Sequence, residues 1–138
     1  MKCLKSEFGA ELTGDRCKMV YASFNDVNQF SVGRVARYEE ALLQAQKEGV
    51  KIKALLLCNP HNPLGKCYAA DTLKALMKFC EKYDLYLISD EIYALSVFPT
   101  KGEARTSFTS VLSFDLKGLL SSVVNNMAIL SYFLYHMI

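Results

Sequence analysis

No Cys-x-x-Cys pair occurs among the five cysteines, Cys3, Cys17, Cys58, Cys67 and Cys80. An odd set of thiols without paired spacing argues against a disulfide framework and against a zinc site, and points to reduced thiols in the cytoplasm. No charge of one sign prevails: 16 basic and 14 acidic residues are interleaved, for a formal net charge of +2. That balance lacks the basic footprint of a nucleic-acid binder, so a small molecule or a protein is the expected partner. The opening stretch MKCLKSEFGAELTGDRCK carries charges throughout and has no apolar core segment, so a secretory signal is not expected. Proline is scarce, with three in 138 residues, and two of these, Pro60 and Pro63, stand in one loop.

What is present reads as a folded α/β chain. Hydrophobic residues make up 51% and charged residues 22%, the balance of one globular domain. No element is assigned to residues 1–18, and KMVYASF is a candidate short strand. From Val32 to Lys47 the residues Val32, Val35, Ala36, Leu42 and Leu43 suggest the apolar side of an amphipathic helix, with Gly49 placed for a left-handed cap. The run Ile52–Cys58, IKALLLC, is short, apolar and bounded by Gly49 and Pro60, which fits a strand buried on both faces. Leu73, Leu76, Met77 and Cys80 recur at helical spacing between about Asp71 and Tyr83. Leu85–Ser89, LYLIS, is a second buried strand. Strand, helix and strand within about forty residues form a βαβ unit with parallel strands.

In open parallel sheets, ligands bind beyond the carboxyl ends of the strands. NPHNPLG follows the first strand there and DEIY follows the second, so both loops open on one edge. Each proline fixes its own φ and restricts the residue before it, which stiffens the turn that carries Asn59 and Asn62. Asp90 at a strand end calls for a cationic nitrogen or a set of donors, and Tyr93 offers a phenol from the following turn. An amide, a carboxylate and a phenol around one pocket suit a planar heterocycle with a protonatable ring nitrogen and a ring oxygen, the groups that pyridoxal phosphate presents.

NPHNPLG and SDEIYALSVF together resemble the core of the class I and II aminotransferase family, of pyridoxal-phosphate fold type I, and within it the animal 1-aminocyclopropane-1-carboxylate synthase-like group. The likeness covers about residues 19–114. It implies a partial three-layer α/β/α sandwich with a mostly parallel sheet, a pyridoxal 5'-phosphate cofactor, an amino-acid substrate and a homodimer or a heterodimer with a full-length subunit. By position, Asn62 and Tyr93 match the residues that contact the cofactor's phenolic oxygen. Asp90 matches the aspartate that pairs with the pyridine nitrogen.

The family pattern is incomplete here. No Ser-Lys pair follows the aspartate; Lys101 and Lys117 are the lysines beyond Tyr93, and Lys117 lacks the flanking serine. The glycine-rich phosphate loop and the family's arginines for phosphate and substrate carboxylate have no match, Arg105 included. A truncated, catalytically inert fragment is therefore expected, with no catalytic residue assigned and the alternative role of a non-catalytic partner of full-length subunits. Residues 115–138 depart from the family. Leu119–Ile138 contains no Asp, Glu, Lys or Arg, yet Asn125, Asn126 and several serines interrupt it, so a membrane anchor is not expected.

Overall fold

A computed structural model describes residues 2–6, 17–24, 27–98, 106–115 and 127–130. In chain order the elements are β1 (Lys2–Ser6), β2 (Cys17–Tyr21), α1 (Arg34–Lys47), β3 (Ile52–Cys58), α2 (Ala70–Lys82), β4 (Tyr86–Asp90) and β5 (Met127–Leu130). They build one five-stranded sheet in the order β2-β1-β3-β4-β5. The core of that sheet is parallel: β3 pairs with β4 and β4 with β5. On the other side β1 runs antiparallel to both β3 and β2. The expected α/β class and βαβ unit are present, and β1 and β5 extend the sheet on either side of it.

The two strands of the unit alternate their side chains across the sheet, as strands must. Leu55, Leu57 and Leu87 point to one face and are fully buried against α1 and α2, in a cluster with Leu42, Leu73, Leu76, Met77 and Cys80. Burial of each such leucine side chain contributes about 1.5–3 kcal/mol. On the opposite face Leu56, Cys58 and Ile88 are half-buried and Tyr86 is exposed. Among the described residues the helix layer covers one face of the sheet, the one that carries Leu55, Leu57 and Leu87.

Helix α2 buries the stripe expected from its spacing, and Asp71 in its first turn suits the positive end of the helix dipole. Helix α1 buries only part of the side its hydropathy suggests. Leu42 is buried and Val35 packs against the core, but Arg34, Tyr38 and Ala45 also turn inward, whereas Val32, Ala36 and Leu43 are exposed. The cause is the buried arginine: its guanidinium lies 5.0, 4.8 and 4.6 Å from the ring centres of Phe24, Tyr38 and Tyr68. Desolvated cation–ring contacts of this kind stabilise a buried cation that apolar scoring places at the surface. Gly49, with φ of 75°, ends the helix in the left-handed conformation expected of it.

Candidate functional site

Strand pairing brings the two candidate loops together. Cys58 and Asp90, the last residues of β3 and β4, are register partners, and the Asn59 N–H donates to the Asp90 carbonyl at 2.9 Å. From that shared base the 59–66 loop folds back on itself, with His61 and Lys66 paired as an isolated bridge and both Asn-Pro peptides cis. The loop presents Asn62 at the surface. The turn after β4 presents Tyr93, 43% exposed, and the Asn62 amide nitrogen donates to the Tyr93 hydroxyl oxygen at 3.4 Å. A bond this long is near the limit of a useful hydrogen bond, so both groups are free to turn to a common acceptor.

Asp90 is half-buried at the same edge, where its carboxylate accepts from the Ile92 N–H at 3.3 Å. Its neighbour across the sheet, Cys58, donates its thiol to the Pro60 carbonyl at 3.3 Å. Burial pushes that thiol's pKa up, against a smaller opposing effect of the Asn62 backbone and with the Asp90 charge adding to the rise, which favours the neutral thiol. His61 packs edge-on against Phe30, with ring centres 5.7 Å apart. Burial holds its pKa below the usual imidazole value, and the Arg34 charge adds to the effect, so the ring is neutral at pH 7.

The two asparagines of the loop have opposite duties. Asn59 is fully buried: its side-chain oxygen accepts from the Tyr68 N–H at 3.1 Å and its amide donates to the Thr109 carbonyl at 3.0 Å. It pins the loop from inside, while Asn62 faces outward. Glu91, beside Asp90, is likewise turned inward and 3% exposed. Its carboxylate accepts from the hydroxyls of Ser89 and Ser110 and from the Val111 N–H, at 3.0, 2.6 and 3.0 Å. Sequence reasoning missed both anchors; the alternation of β4, which sends Ser89 and Glu91 to the core face opposite Asp90, was the available signal for Glu91. Lys101, Arg105 and Lys117 lie outside the described residues, as does most of the apolar run Leu119–Ile138.

A sequence profile described as aminotransferase class I and II matches residues 7–127. The chain belongs to this family. Among curated relatives, the probable aminotransferase sirI of Leptosphaeria maculans is 44% identical over 97 residues, which are 70% of this chain and 23% of that protein. The probable inactive 1-aminocyclopropane-1-carboxylate synthase-like protein 2 of Homo sapiens is 47% identical over 79 residues, 57% of this chain and 13% of that protein. The chain thus spans less than a quarter of the length of these relatives. Cystalysin from Treponema denticola, whose crystal structure contains a pyridoxal 5'-phosphate cofactor, superposes with a TM-score of 0.46 and 30% identity over 57% of this chain and 18% of that one.

Membership of the class I and II aminotransferases indicates pyridoxal phosphate as the cofactor. The donor set at the sheet edge fits the ring end of that molecule. A half-buried carboxylate suits a protonated ring nitrogen, and two weakly engaged donors, the Asn62 amide and the Tyr93 phenol, suit an anionic ring oxygen. No described helix is long and apolar enough to cross a membrane.

Proposed function

We propose that this chain carries the ring-binding half of a pyridoxal-phosphate site of an aminotransferase-like or 1-aminocyclopropane-1-carboxylate synthase-like protein that acts on amino acids. The observation that carries the reading is the hydrogen-bonded pair Asn62–Tyr93 on the strand edge that also bears Asp90. Bound there, pyridoxal phosphate supplies an electron sink for the α-carbon of an amino acid. Asp90 holds the proton on the ring nitrogen, since a carboxylate next to a pyridinium favours its charged form. The Asn62 amide and the Tyr93 phenol would donate to the ring oxygen and so orient the cofactor. Neutral His61 and Cys58 add no competing charge beside it.

The 138-residue chain contains no Ser-Lys pair, so binding without turnover is its expected behaviour. The test is a pyridoxal phosphate titration of the chain followed by absorbance, then by borohydride reduction and mass mapping, in parallel with Asp90→Asn. Saturable binding that weakens at least about tenfold in Asp90→Asn, with no single lysine trapped, supports the reading. Indiscriminate lysine modification, unaffected by the substitution, sinks it.

A second reading is a non-catalytic partner that pairs with longer subunits in the cytoplasm. It is favoured by the apolar residues that follow Tyr93, of which Leu95 is 80% and Phe98 73% exposed. Co-expression with a full-length homologue checks it: recovery of the chain only in the uncomplexed fraction removes this role.

A further inference from the structure

The two inward anchors grip adjacent residues of one three-residue stretch. Asn59, at the start of one loop, donates to the Thr109 carbonyl, while Glu91, in the turn after β4, accepts from the Ser110 hydroxyl and the Val111 N–H. Val111 itself is fully buried in the core cluster, and the Ser110 hydroxyl oxygen accepts from the Leu112 N–H to start a short 3-10 turn. Residues Thr109–Val111 therefore run across the carboxyl edge of the sheet and touch both loops. Glu91 lies in the chain between Asp90 and Tyr93, and its carbonyl accepts from the Ala94 N–H at 2.9 Å, so its backbone also shapes the turn that carries Tyr93.

What sets Asn62 against Tyr93 needs a cause. Their own 3.4 Å bond is weak and exposed, and the single Asn59–Asp90 backbone bond fixes only the base of the loops. Hydrogen bonds to a buried carboxylate are the stronger kind. The geometry points to Thr109–Val111 as a staple that holds the Asn62 loop in register with the Asp90–Tyr93 turn, with Glu91 and Asn59 as positioning residues of the cofactor site. This role rests on the function proposed above.

The test uses the 138-residue chain as parent, with Glu91→Ala, Glu91→Gln, Asn59→Asp and Asp90→Asn. Four signals are read: Val111 amide exchange, the Asn62 side-chain amide and Tyr93 ring resonances, and pyridoxal phosphate affinity. Glu91→Ala is expected to speed Val111 exchange at least about tenfold and to weaken cofactor binding by a similar factor. It also shifts the Asn62 and Tyr93 resonances. Glu91→Gln keeps an oxygen for the Val111 N–H and brings affinity back to within about threefold of the parent. Asp90→Asn weakens binding while Val111 exchange stays at the parent rate. Asn62 and Tyr93 resonances that do not move in Glu91→Ala overturn the staple. A parent that binds no cofactor, in which those resonances still move, refutes the proposed site and leaves the staple standing. If Glu91→Ala fails to fold, Asn59→Asp decides. It sets a carboxylate oxygen against the Thr109 carbonyl from the other loop, so an unmoved Tyr93 resonance there overturns the proposal.

Discussion

Replacing Asn59 by alanine separates the structural asparagine of the loop from the exposed one. Asn59 is 0% exposed and uses both ends of its amide. Its loss leaves the Tyr68 N–H without an acceptor in a residue that is itself fully buried, which costs about 1–3 kcal/mol. The Thr109 carbonyl loses its donor too, but Thr109 is half-buried and water reaches it, so that loss adds about 1 kcal/mol. The sum, about 2–4 kcal/mol, is a large part of a small domain's stability of about 5–15 kcal/mol. With a urea slope of about 2 kcal/mol/M, the unfolding midpoint falls by about 1–2 M at unchanged slope. Asn62→Ala, which removes one long exposed bond, moves the midpoint by no more than about 0.25 M at the same slope. Urea unfolding followed by far-ultraviolet circular dichroism reads both variants. An Asn59→Ala midpoint indistinguishable from that of Asn62→Ala would refute the assignment of Asn59 as the inner pin.

Leu76→Ala opens a cavity in the fully buried cluster between α2 and the sheet and is expected to destabilise by about 2–5 kcal/mol, as read by the same urea titration. Glu39 accepts from Lys82 and from the Tyr83 hydroxyl, and these bonds hold its pKa below the usual carboxylate value. A depressed folded pKa means that the unfolded chain binds the proton first. The stabilisation is therefore fully present above the ordinary value of 4.5 and is lost as pH falls through the lower folded value. Thermal melts of the parent and Glu39→Gln across pH 3–6 are expected to converge at the acid end; a gap that widens on acidification contradicts the assignment.

Where the sequence was informative, one local rule decided the outcome. Ile52–Cys58 is short, apolar and bounded by turn residues, and its observed limits match the expected ones, but cover on both faces is only partial: Leu55 and Leu57 are fully buried while Leu56 and Cys58 on the other face are half-buried. The α2 stripe at 73, 76, 77 and 80 is buried as its spacing requires. On helix α1 the inward place of Arg34 was not legible, since two of the three rings around its guanidinium, those of Phe24 and Tyr68, lie outside the helix. Strand β1 pairs with β2 and β3 through non-local antiparallel contacts, and KCLKS has no pattern of its own to announce them. Strand β5 lies in the apolar run that the family likeness left out, and it joins the sheet beside β4. At the site, the βαβ topology was enough to place Asn62, Asp90 and Tyr93 on one edge. The inward roles of Asn59 and Glu91 were hidden because their partners, Thr109 to Val111, lie 50 residues beyond Asn59 and 19–20 beyond Glu91.

Chemical-shift mapping of a pyridoxal phosphate titration tests the ring-binding site most directly, because it reads where the molecule sits as well as whether it binds. The hydrogen-bond geometry requires saturable shifts at the Asn62 side-chain amide, the Tyr93 ring and the Ile92 N–H that bonds Asp90. Signals of Lys51 and Lys53, at the opposite end of β3, should stay still. Shifts confined to those and other surface lysines, with Asn62, Tyr93 and Ile92 unmoved, would contradict the assignment of this edge as a cofactor site.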